Sequence, residues 1–69
     1  MLEVKMDFKT RLSALIKDMG ITQKELAKMT GVTEAAISRY INGSRLPNMT
    51  ALLLLKKGLG CTWEQLVGE

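Results

Sequence analysis

Histidine is absent from the 69-residue chain, and a single cysteine, Cys61, is present. With one thiol and no imidazole, neither an intramolecular disulfide nor a tetrahedral zinc site of the usual ligands can be built. No metal and no cofactor are expected, and Cys61 reads as a small buried apolar residue in a reducing setting. Aromatic side chains are scarce: Phe8, Tyr40 and Trp63 make up the whole set. The core must therefore be aliphatic, which suits packed helices better than sheets rich in aromatic and β-branched residues. Long apolar runs are also missing. The longest, Ala51 to Leu55, falls far short of the roughly 20 residues that span a bilayer. Met1-Leu2-Glu3-Val4-Lys5-Met6-Asp7 has no apolar stretch of the signal-peptide kind. Apart from Glu3 and Asp7 near the N-terminus, the sequence has no carboxylate pair at helical spacing; it has no glycine-rich phosphate loop, and its glycines read as helix stops. It is expected not to be an enzyme.

What is present fits one small domain over residues 1–69, with residues 1–6 loosely ordered at its N-terminus. The hydrophobic fraction is 46%, enough for a packed core. A chain of this size buries only about 60% of its unfolded surface, so its stability margin is thin. Ten Lys and Arg against seven Asp and Glu give a net charge of +3. That permits a nucleic-acid partner without requiring one.

Periodicity and capping chemistry predict an all-α fold of five short helices. Phe8, Leu12, Leu15, Ile16 and Met19 recur at spacings of three and four, so a helix from Asp7 to Met19 turns them inward and Gly20 stops it. Thr22 and Glu25 form a capping box that opens a helix from Gln23 to Met29 or Thr30, with Gly31 at its end. Thr33 starts the next helix, Glu34 to about Ile41, which turns Ile37 inward and stops at Asn42-Gly43. Only Gly31, Val32 and Thr33 separate these two helices, so they must cross at a large angle. That joint is the mark of a helix-turn-helix unit. Ser44-Arg45-Leu46-Pro47 forms a loop, because Pro47 biases Leu46 away from helix. Asn48 caps a fourth helix, Met49 to about Lys57, whose end Gly58 and Gly60 bracket. A second capping box, Thr62 with Gln65, opens a last helix that ends near Gly68.

The stretch Thr22-Gln23-Lys24-Glu25-Leu26-Ala27 through Gly31, then Ile37-Ser38-Arg39-Tyr40, then Asn42-Gly43-Ser44-Arg45-Leu46-Pro47 resembles the Cro and phage-repressor (Xre-like) helix-turn-helix family. Leu59-Gly60-Cys61-Thr62 is similar to that family's usual Leu-Gly-Val-Ser. The resemblance runs from about Phe8 to Val67 and keeps its spacing throughout. It implies a lambda repressor-like domain that binds double-stranded DNA sequence-specifically, with the helix at about 33–41 in the major groove. The expected role is a transcriptional regulator of the phage or mobile-element repressor type, in a prokaryotic or phage cytoplasm at the nucleoid. Thr30 departs from the family, which usually has an apolar residue there.

Carried over by position, the base-facing residues are Thr33, Glu34, Ala35, Ser38 and Arg39. The Arg39 fork matches guanine O6 and N7, although a surface arginine can instead pair with a carboxylate. Glu34 can accept from cytosine N4 or simply favour the positive end of its helix. Ala35 can touch a thymine methyl, whereas Ala36 reads as packing. The two alanines leave fewer polar readers than the family usually carries. Resemblance also implies that Gln23, with its helix N-terminus, holds a phosphate, and that Asn42, Gly43, Ser44 and Arg45 contact phosphates on the far strand. Asn42 can serve as a helix end as well.

On the fourth helix, Met49, Leu52, Leu55 and Leu59 form the expected core stripe, with Leu53 at its margin and Leu54 roughly opposite. Leu54 and Trp63 are candidate dimerisation residues. The family habit of binding pseudo-palindromic operators as homodimers implies half-sites about 34 Å apart. The alternative from another class is an antitoxin-like or adaptor module, whose helices bind protein through the same two residues.

Overall fold

The structure, a computed structural model, describes residues 8–68. The loosely ordered N-terminus expected for residues 1–6 lies outside the described residues. Five helices follow in order: α1 (Phe8–Met19), α2 (Gln23–Thr30), α3 (Glu34–Asn42), α4 (Met49–Leu59) and α5 (Trp63–Val67). No strand occurs among the described residues.

Helix starts follow local chemistry. The Thr22 hydroxyl accepts from the Glu25 N–H at 3.0 Å, and Glu25 Oε1 accepts from the Thr22 N–H at 2.8 Å. Thr62 and Gln65 repeat this reciprocal pair at 3.0 and 2.9 Å. Thr33 and Asn48 cap α3 and α4 by accepting from Ala36 and Ala51 N–H at 3.1 and 2.8 Å. Each cap satisfies first-turn amides that have no partner within the helix. At the turn of the helix-turn-helix unit, Gly31 takes φ +82° and its N–H donates to the Ala27 carbonyl at 2.9 Å. An L side chain resists that backbone conformation.

Each helix sends one fully enclosed aliphatic side chain to the centre: Leu12, Leu26, Ile37, Leu55 and Leu66. Burial of each contributes about 1.5–3 kcal/mol. Around them, α1 packs on α3 and α5, while α2 packs on α3 and α4. Phe8 and Tyr40 meet edge to face, with ring centroids 6.1 Å apart, and fasten the start of α1 to α3. Cys61 is buried and free, and that burial pushes its thiol above the ordinary value against opposing effects of a backbone hydrogen bond and Lys56.

Three expectations need correction. Met19 lies at the last residue of α1 and is exposed rather than in the core. On α4, Met49 is 64% exposed, and Ala51 takes the inward position with Leu52, Leu55 and Leu59. At 100° per residue this substitution rotates the stripe by about 40°. The rotation makes Leu53 the more outward side chain, at 51% exposure, and brings Leu54 to the margin at 39%. There Leu54 lines a concavity with Met29, Thr30, Lys57 and Gly58, at the α2–α4 boundary.

The third correction concerns Gly58, which lies within α4, not at its end. A Cβ there would stand 2.5 Å from Thr30 Cγ2 and 3.0 Å from both the Met29 carbonyl oxygen and Thr30 Cα. Glycine is required because the end of α2 presses against α4 at this point, so no stop signal is involved. The same contact explains the departure at Thr30. Its side chain is buried, and its hydroxyl donates to the Leu26 carbonyl at 2.8 Å while accepting from the Val32 N–H at 3.1 Å. A polar residue is accommodated because both hydrogen-bonding roles are filled, and they tie α2 to the turn.

Candidate nucleic-acid interface

Ile37 and Tyr40 are buried and hold one side of α3 against the domain. At 100° per residue, Glu34, Ala35, Ser38, Arg39 and Asn42 then fall within an arc of about 140° on the other side. All five are exposed. The two alanines separate as the sequence suggested: Ala35 lies on the open arc, and Ala36 is half-buried against the core. Thr33 is exposed at the head of the helix, its hydroxyl oxygen engaged as the cap. Among the described residues, no carboxylate or other partner holds the Arg39 guanidinium. The main-chain carbonyl of Arg39 accepts from the Ser44 N–H at 3.0 Å.

Gln23 is the first residue of α2 and is half-buried, not a freely solvated surface residue. With Ser13, Lys17 and Ile41 it lines an open concavity between α1, the start of α2 and the end of α3. The capping box engages the Glu25 amide, while the Gln23 and Lys24 amides make no hydrogen bond among the described residues. They remain available to an oxygen-bearing anion at the positive end of the helix.

After α3 the chain turns at Gly43, φ +81°. Asn42 Oδ1 accepts from the Ser44 N–H at 2.9 Å, and the Ser44 hydroxyl points back to the Arg39 carbonyl at 3.4 Å. Asn42, Gly43, Ser44 and Arg45 are all exposed. Asn42 thus shapes the bend through its oxygen while its amide nitrogen stays open to an acceptor. The structure brings Gln23 beside the C-terminal half of α3, and Asn42 to Arg45 continue from that helix.

The two candidate dimerisation residues differ. Leu54 is exposed beside Met29, whereas Trp63 is half-buried against the core with Lys56 Nζ 5.5 Å from its ring centroid. A cation over an indole face accounts for the size of this side chain in part. Arg11, a cation of α1, is held by α5. Its Nη1 donates at 3.0 Å to the carbonyl of Glu64, the second residue of α5. Sequence reasoning missed Lys9, whose methylenes lie against Gly43. No local pattern announces that contact, because it depends on how α1 crosses α3.

Two helices joined through Gly31, Val32 and Thr33, with the second exposing one long face, define a helix-turn-helix domain. Residues 12–66 match the model of the helix-turn-helix family. The chain belongs to that family, in its Cro/C1-type, lambda repressor-like branch. Among solved structures, it is similar to the P22 c2 repressor protein in complex with synthetic operator 9T in the presence of Tl+. The TM-score is 0.82 at 35% sequence identity, over 94% of this chain and 100% of that one. Among curated relatives, it is 32% identical over 62 residues to the HTH-type transcriptional activator BcrR of Enterococcus faecalis. That match covers 90% of this chain and spans 30% of the relative's length.

Proposed function

We propose that this domain binds double-stranded DNA sequence-specifically, with α3 in the major groove, and serves as a transcriptional regulator. The observation that carries the reading is the open arc of α3, bearing an Arg39 guanidinium with no protein partner among the described residues. Arg39 donates in a fork to guanine O6 and N7, and Ala35 meets a thymine methyl. Thr33, Glu34 and Ser38 supply the remaining polar edge. Gln23 and the Asn42–Arg45 loop grip phosphates on either side and set the register of α3. The operator complex of the P22 c2 repressor supports this docking. One similar protein is named an activator and the other a repressor, so the sign of regulation lies outside the domain's geometry.

The protein acts as a homodimer on a pseudo-palindromic site, with half-sites about 34 Å apart. The exposed pair Met29 and Leu54 supports a protein contact on that side more than half-buried Trp63 does. This is a binding role without catalysis, exercised in a prokaryotic cytoplasm by a protein of the cell or of its phage.

Selection from a randomised duplex pool tests the reading. The expected result is one enriched motif with two-fold symmetry, bound with a log–log salt slope of several units. Absence of duplex binding at low salt would remove the reading and favour the adaptor alternative.

A further inference from the structure

Lys9, in the first turn of α1, has no part in the interface described above. Its stem crosses the bend after α3: a Cβ at Gly43 would stand 2.9 Å from Lys9 Cδ, 3.7 Å from Cε and 3.5 Å from Nζ. Gly43 is glycine for its left-handed backbone, φ +81°, and the flexible lysine stem lies across the face that this leaves without a side chain. Lys9, Gly43, Phe8, Tyr40 and Leu46 together line a shallow concavity. Laying an aliphatic stem on the protein while the charge faces water is ordinary lysine behaviour. Its location is what matters.

The ammonium is exposed, and no ion pair or hydrogen bond holds it among the described residues. It stands beside the loop assigned above to the phosphate backbone. In that loop the Arg45 and Leu46 amides also make no hydrogen bond among the described residues. A cation next to a bend with unused donors suits a single phosphodiester, for which lysine acts as a point charge.

We propose that Lys9 is a DNA backbone contact, delivered by α1 to the loop that follows the recognition helix. This inference rests on the reading that α3 and its loop face the duplex. Lys9 adds affinity and register but reads no base.

The test compares the full chain with Lys9→Met and Lys9→Arg on the selected operator and on a random duplex, across 50 to 200 mM salt. Methionine keeps a flexible apolar stem over Gly43 and removes the charge, and unchanged thermal unfolding confirms that the fold is intact. Loss of one phosphate contact in each subunit of the dimer lowers the log–log slope by about 1.8. Over that salt range, the unsubstituted dimer then loses about 12-fold more affinity than Lys9→Met does. The same change is expected on both duplexes, and Lys9→Arg retains the original slope. Equal slopes for the unsubstituted chain and Lys9→Met, with binding otherwise intact, overturn the inference alone. Failure of the unsubstituted chain to bind any duplex overturns it together with the reading beneath it.

Discussion

Gly58→Ala separates two explanations of one glycine. In an exposed helix, alanine is better than glycine by about 1 kcal/mol, so the change would stabilise the domain. Here the added Cβ meets Thr30 Cγ2 at 2.5 Å and two backbone atoms, the Met29 carbonyl oxygen and Thr30 Cα, at 3.0 Å. The Thr30 side chain cannot swing away without breaking its hydrogen bonds to the Leu26 carbonyl and the Val32 amide. The two helix backbones must therefore separate. Overpacking of this kind costs about 1–3 kcal/mol, and backbone neighbours place it in the upper part of that range. After subtracting the gain in helix propensity, the expected net loss is about 1–2 kcal/mol. For a domain of this size that is a fall in Tm of roughly 5–15 °C. Thermal and urea unfolding followed by circular dichroism measure it. Thr30→Ser removes the nearest methyl, so Gly58→Ala should cost less in that background, giving a favourable coupling in a double-mutant cycle. A Tm that rises on Gly58→Ala refutes the packing argument.

Thr30→Val keeps the shape and leaves the buried Val32 N–H without its acceptor, so urea unfolding should show a loss of about 1–3 kcal/mol. A neutral result would mean that the hydroxyl is incidental to the turn. Gln23→Ala should weaken binding of selected and random duplexes alike, because a phosphate contact carries no sequence information. Equilibrium titration checks this, and a loss confined to the selected duplex would make Gln23 a base reader.

Helix starts were legible because capping is written within four residues: Thr22 with Glu25, Thr33, Asn48, and Thr62 with Gln65 all cap as their spacing suggests. The exposed arc of α3 was legible in outline, since Ile37 marks its buried side; that Tyr40 is the buried residue beside it depends on tertiary packing. What stayed hidden depends on neighbours far along the chain. Gly58 looked like a stop because glycine often is one, and its true reason lies on α2. Ala51 was overlooked because a small residue adds little to an apolar pattern, whereas Met49 adds much. That exchange alone moved the stripe and traded the places of Leu53 and Leu54. Lys9 escaped because nothing near it in sequence shows that α1 passes over the bend at Gly43.

The central claim is that α3 reads base edges, with Arg39 as its strongest reader. The most direct test is the affinity of Arg39→Ala for the selected operator and for a random duplex, measured at one fixed salt concentration. The account predicts a loss of about 1–3 kcal/mol per half-site on the operator beyond any loss on random sequence, with preference relaxed at one base pair of each half-site. Equal losses on both duplexes would contradict it, leaving Arg39 as a phosphate contact and α3 without its principal reader.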